Sequence, residues 1–365
     1  MVLDNFSEFF QLLRFSLGIA EEFPTGLTEQ QWARLYQLSL KHAIIGVTYT
    51  GMERMPAGQR PPIEVTAQWY IDAENIKRMN ANLNEEARKV TEMFAEEGRR
   101  TAILKGQANA RLYPHPESRH PGDIDIWVEG GEEKVLELLR QKGLMDDSTR
   151  VFYHHIQFYV GEHVEVEVHF RPTSCKSQQV QDFLNRELEQ VTLCPEGFYI
   201  PSTPFALVMQ LAHIRTHLFS KGVGLRQLID YYFLLRSCTP EERRRVGENL
   251  KSLGMYHAAA ALMWLLGEIF LLDEQYMLVR PNARSGRWML AEVLEKGNFG
   301  LCKQVQKTTS WQHFRMKKRR VWEHILFEPQ RTMEILRKEG KYWVNLFVTI
   351  PRRIKYRTLS LKEVS

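Results

Sequence analysis

No stretch of eighteen uncharged apolar residues occurs anywhere in this 365-residue chain. That excludes a membrane-spanning helix on hydropathy. Cysteine is sparse and scattered: Cys175, Cys194, Cys238 and Cys302 never form a Cys-x-x-Cys pair. Their spacing offers neither a zinc site nor a disulfide framework, and a reducing cytoplasm fits it best. Asp4 and Glu8 come before the first basic residue, Arg14, so the start does not read as a secretory leader. No internal repeat or low-complexity tract is present. What remains is an ordinary globular composition, 44% hydrophobic and 25% charged, long enough for two domains or three small lobes.

Charge is unevenly placed. Residues 301–365 hold 16 Lys and Arg against 5 Asp and Glu, a net of +11, so with +5 for the whole chain residues 1–300 sum to −6. A solvated helical surface would produce this, and so would a contact with nucleic acid or an anionic membrane. Lys317-Lys318-Arg319-Arg320 reads as a solvated turn of helix, and Tyr342–Val348 before Pro351-Arg352-Arg353 as core packing or as a membrane-surface or partner contact.

The chemistry concentrates between residues 100 and 170. In Gly122-Asp123-Ile124-Asp125-Ile126-Trp127-Val128, two carboxylates sit two residues apart in an apolar run. On a strand they share one face, while Ile124 and Ile126 turn to the other. Side-by-side carboxylates call for a cation, and a hard divalent ion such as magnesium is the usual one. Val164-Glu165-Val166-Glu167-Val168-His169-Phe170 alternates in the same way, with the valines on one face and Glu165, Glu167 and His169 on the other. If this strand lies beside the first, Glu167 joins Asp123 and Asp125, with Glu165 as the substitute. Three carboxylates on neighbouring strands can hold a pair of magnesium ions for in-line displacement at phosphorus. Upstream, Thr101–Leu104 reads as a strand and Ala108–Tyr113 as a helix, with Lys105-Gly106-Gln107 between them. The glycine there frees backbone N–H groups for phosphate. Lys105 adds a full charge, and Arg119 stands four residues before Asp123.

The order Leu104-Lys105-Gly106, Leu112-Tyr113-Pro114, Arg119, Asp123-Ile124-Asp125 and Glu167-Val168-His169-Phe170 resembles the polymerase-β-like nucleotidyltransferase superfamily, and within it the bacterial family of uncharacterised nucleotidyltransferases. The resemblance covers residues 100–170 and, more weakly, the helical region to about 235. It implies transfer of a nucleoside monophosphate from an NTP to an acceptor hydroxyl, with two Mg2+ ions on Asp123, Asp125 and Glu167. It also implies that Lys105, Gly106 and Arg119 hold the triphosphate. Gly224–Asp230 resembles a recurrent segment of the family, which places Asp230 at the acceptor pocket. Two positions depart from the wider superfamily: Lys105-Gly106 stands for Gly-Ser or Gly-Gly, and Glu167 stands for aspartate. A small-molecule acceptor is favoured. A catalytically silent binding protein of the same fold, or a toxin-like transferase acting on RNA or protein, are the other readings. Oligomeric state is left open.

The expected architecture is α+β: a small mixed-sheet core flanked by helical lobes. The boundaries fall at 1–63 (helical), 64–200 (catalytic core) and 201–365 (helical with a basic tail). Helices are expected over 4–20, 28–43, 64–97, 132–142 and 178–190, and after Pro204 over 205–219, 224–237, 241–252 and 255–271. Thr28 with Gln31 resembles a capping box. His213 and His217, four apart, share a helix face and read as a packed or cleft-lining pair rather than a zinc site.

Overall fold

Strict alternation of valine or isoleucine with polar residues builds the central sheet. The computed structural model describes residues 4–298 except 162, and 310–344 except 330, 331, 334, 338 and 342. Four strands, β1 (Thr101–Ile103), β2 (Ile124–Val128), β3 (His155–Val160) and β4 (Val164–His169), assemble in the order β1-β2-β4-β3. β1 runs antiparallel to β2, β2 parallel to β4, and β4 antiparallel to β3. This mixed sheet among many helices makes the fold α+β. In the β2–β4 register Asp125 faces Glu167, and in the β3–β4 register Gln157 faces Glu167 and His155 faces His169. A second ladder, β5 (Val191–Leu193) with β6 (Tyr199–Pro201), is a short antiparallel hairpin.

One sheet face is dry. Ile124, Ile126, Val128, Val166, Val168, Ile156 and Phe158 pack with Leu83, Ala87, Val90 and Phe94 of a long helix, and with Val135, Leu138 and Leu139 of another. Burying such side chains stabilises by roughly 1.5–3 kcal/mol each, so this layer fixes the strand register. The polar members of the same strands are thereby forced onto the opposite face.

The helices are α1 (Ser7–Ser16), α2 (Glu29–Lys41), α3 (Ile45–Arg54), α4 (Ile63–Glu96), α5 (Gln107–Ala110), α6 (Gly131–Gln141), α7 (Gln178–Glu187), α8 (Thr203–Leu218), α9 (Leu225–Ser237), α10 (Pro240–Asn249), α11 (Tyr256–Phe270), α12 (Ala283–Lys296) and α13 (Ser310–Phe327). The Thr28–Gln31 capping box opens α2. Two expectations need correction. A helix, α3, fills Ile45–Arg54, where none was expected. Its residues Ile45–Met52 are buried on every side, so it lacks the amphipathic period that marks a helix in sequence. The helix expected over 108–113 is one turn, α5, after which Leu112 and Tyr113 N–H donate to the carbonyls of Asn109 and Ala110 three residues back. Pro114 ends any continuation.

Two compact units are present, Met1–Leu301 and Cys302–Ser365. In the second, Lys318 Nζ lies 3.6 Å from Glu339 and 4.7 Å from the Trp343 ring centroid. Residues 345–353, which include most of the aromatic and basic segment noted in the sequence, lie outside the described residues. No helix among the described residues is long and apolar enough to cross a membrane.

Candidate active site

The polar sheet face opens into a cleft of about 560 Å³, roofed by α8 and α9. Asp123, Asp125, Glu165, Glu167, His155 and His169 line its floor, and Met209, Gln210, His213 and His217 belong to the opposite wall. Ligand atoms of Asp123, Asp125 and Glu167 all lie within 4.8 Å of one another. Asp125 is 1% exposed in its side chain, Glu167 16% and Asp123 34%, so the cluster grades from sealed to open.

Two side-chain cations face these carboxylates. Lys105 Nζ lies 2.9 Å from Asp125 Oδ2 and 3.8 Å from Asp123 Oδ2. His169 Nε2 lies 3.1 Å from Asp125 Oδ1 and 3.4 Å from Glu167 Oε2. Burial works against charge on His169, yet its contacts to Asp125 and Glu167 outweigh that and raise it to about 9. For Asp125, burial and then the Asp123 charge win over Lys105 and His169 and hold it up, at about 6. Burial would raise Glu167 too, but His169 and Lys105 pull it below the carboxylate range. Lys105 is desolvated, yet Asp123, Asp125 and Glu167 keep it firmly protonated. Gln157 Nε2 donates to Glu167 Oε1 at 2.8 Å and fixes its rotamer.

Lys105 reaches the carboxylates because the chain turns sharply after it. Gly106 has φ 63° and ψ −107°, a conformation that costs an L side chain dearly. Leu104 N–H still donates to Asp125 C=O at 2.8 Å, so the lysine leaves β1 directly beside β2.

Arg119 and Asp230 are brought together rather than left as separate cleft residues. Arg119 Nε and Nη2 each donate to an Asp230 oxygen at 2.8 Å, both side chains being 5% exposed. Tyr113 Oη donates to Asp230 Oδ1 at 2.7 Å. Arg226 Nη1 donates to the carbonyls of His120 and Pro121, each at 3.1 Å. From the other side Asn80 Nδ2 donates to the Glu117 and Arg119 carbonyls at 2.8 and 2.7 Å. Gly46 of α3 lets Ser118 approach closely: a Cβ there would stand 2.2 Å from the Ser118 carbonyl oxygen. The loop from Pro114 to Pro121, with three prolines, is thus pinned on both flanks, and Asp123 emerges from it at a fixed point.

The His213 and His217 rings meet at a tilt, with centroids 4.2 Å apart, on the cleft wall as a lining pair. His154 and His155 were not singled out in the sequence. They sit in a turn and at the first residue of β3, and only knowledge that β3 flanks β4 would have drawn attention to them.

Over residues 28–271 the chain matches the family described as uncharacterised nucleotidyltransferase. Among solved structures it is similar to an antigenic nucleotidyltransferase-like protein from Paracoccidioides brasiliensis, at 14% identity over 52% of this chain and 93% of that one, with a TM-score of 0.35. Among curated proteins none matches.

Proposed function

The chain belongs to the uncharacterised nucleotidyltransferase family, and from that premise we propose that it transfers a nucleoside monophosphate from an NTP to an acceptor hydroxyl and releases pyrophosphate. The observation that carries this reading is the in-register pair Asp125–Glu167 on parallel strands, with Asp123 completing three convergent carboxylates. These residues fit magnesium: they are hard oxygen donors, and one of them is sealed from water. Bound magnesium would supply charge for the leaving pyrophosphate and activation for the attacking hydroxyl.

The chain's own residues do the positioning. Asp125 is held rigidly by His169, and Glu167 by Gln157 and His169. Lys105 neutralises the cluster, and with magnesium bound between the carboxylates it would be available to the β- and γ-phosphates. α5 is a single turn, so the charge facing phosphate comes from Lys105 and not from a helix dipole. Gly106 shapes that loop. We assign Arg119 and Asp230 to holding the loop that delivers Asp123, since each is committed to the other. The cleft volume suits a nucleotide with a small acceptor. The three described cysteines are unpaired, which supports a cytoplasmic setting.

A catalytically silent binding protein is the second reading, favoured by Lys105 standing in the cation position. Calorimetry with a non-hydrolysable NTP separates the readings. We expect magnesium-dependent binding in the wild type and its loss in Asp123→Asn and Asp125→Asn, with folded spectra retained. Unchanged affinity in both variants sinks the metal site. Binding without any turnover across acceptor panels favours the silent protein.

A further inference from the structure

We propose that His155, Glu167 and His169 form a second metal site, for a borderline first-row divalent cation such as zinc. It lies beside the carboxylate cluster and shares Glu167 with it. Their ligand atoms lie within 4.8 Å of one another. His155 Nε2 is 3.6 Å from Glu167 Oε1, and His169 Nε2 is 3.4 Å from Glu167 Oε2. A tetrahedral ion with bonds near 2.0–2.2 Å holds its donors about 3.3–3.6 Å apart, and each imidazole stands at that spacing from one oxygen of Glu167. Two imidazoles and one carboxylate are a poor set for magnesium and a good one for zinc, manganese or iron.

Of the donors, His155 is already prepared for it, whereas His169, whose Nε2 contacts Asp125 at 3.1 Å, gives up its proton and that contact as the metal binds. His155 Nε2 is buried with no hydrogen-bond partner, in a side chain 9% exposed. A hydrogen-bonding nitrogen in that position should have one, and a metal would supply it. On the other edge of the ring, His155 Nδ1 meets His154 Nε2 at 2.9 Å. With Nδ1 donating, the Nε2 lone pair points toward Glu167, the arrangement in which an outer partner sets the tautomer of a metal ligand. Phe152 stacks on His155 at 4.7 Å and His169 at 5.3 Å, which holds both imidazoles in place. All three residues line the cleft, which gives the ion a route in.

The site shares one residue with the magnesium reading, so the test keeps them apart. Chelator-treated full-length protein in millimolar magnesium is titrated with Zn2+ by calorimetry, and with Co2+ by visible absorption. We expect one equivalent of Zn2+ and a cobalt spectrum of tetrahedral nitrogen–oxygen ligation. His155→Gln should weaken Zn2+ at least roughly 100-fold. Asp123→Asn should keep zinc while losing magnesium-dependent NTP binding. His155→Phe, which preserves the stack on Phe152, guards against a folding artefact, with metal-free melting curves matching the wild type. Equal zinc affinity in wild type, His155→Gln and His155→Phe overturns the proposal, as does a wild type that binds no zinc. Intact NTP binding in either of those results leaves the nucleotidyltransferase reading standing.

Discussion

Lys105 carries a charge exactly where the carboxylates need one, 2.9 Å from Asp125, and any bound cation must compete with it. Lys105→Met removes that competitor. Magnesium should then bind about tenfold tighter without nucleotide, a gain of about 1.4 kcal/mol, while NTP in saturating magnesium should bind about tenfold weaker. Opposite signs in two calorimetric titrations are the readout, and two unchanged affinities would remove Lys105 from the site. The Arg119–Asp230 pair makes a different demand. Breaking a buried, forked ion pair strands a charge and costs ~3–5 kcal/mol. Asp230→Asn and Arg119→Met should each lower the urea midpoint accordingly, and the double variant should lose less than the sum. A stability-neutral Asp230→Asn that damages only acceptor use would return Asp230 to the acceptor pocket. In sequence these two residues stand 111 positions apart, and nothing local links them. That is why each reads singly as a cleft residue. Asp123 and Asp125, by contrast, are legible because their pairing is two residues long.

β2 and β4 are the elements the sequence describes best. Three valines in strict alternation on β4 fix which side chains face the cleft, and parallel pairing sets Glu167 opposite Asp125. Glu167→Gln should therefore abolish transfer, and Glu167→Asp should retain it. Glu165→Gln should be mild, because Glu165 faces Tyr159 across β3 and has no β2 partner in register. The reverse pattern would place the wrong glutamate in the site. Elements buried all round are less legible, and α3 shows the reason: with every face buried from Ile45 to Met52, no period of apolar against polar survives. The junction of α2 and α3 also holds His42, 0% exposed, with neither ring nitrogen hydrogen-bonded and Phe9 at 6.0 Å. Burial, helped by Lys41, lowers it from the usual 6.5 to about 3. The unfolded chain takes a proton that the folded chain refuses. This contribution is therefore complete above about pH 6.5 and is lost as pH falls toward 3, by roughly 3 kcal/mol between pH 7 and 4. His42→Leu should flatten that part of the stability profile relative to wild type. Parallel profiles for the two proteins would show that His42 titrates normally.

At the scale of the whole molecule, charge and fold divide at nearly the same place. The unit Cys302–Ser365 carries the +11, and the unit Met1–Leu301 carries the −6. A unit this basic attracts polyanions at low salt whether or not they are substrates. Salt separates the cases. Neutralising each phosphate of a single strand contributes about −0.7 to the log–log slope, so a chain touching several phosphates loses orders of magnitude in affinity between low and physiological salt. Part of this charge is already engaged within its own unit, Lys318 on Glu339 and Arg319 on Glu323 at 2.7 Å. The cleft, with its carboxylates, lies in the acidic unit and has the volume of a small-molecule site. We therefore expect gel shifts with tRNA, and co-sedimentation with acidic liposomes, to be visible at low salt and absent at physiological salt. NTP binding, resting on short contacts inside a cleft, should change far less over the same range. RNA binding that persists at physiological salt, with turnover that labels the RNA, would move the acceptor from a small molecule to an RNA end. Liposome binding that persists and depends on Trp343 would instead make the basic unit a membrane contact.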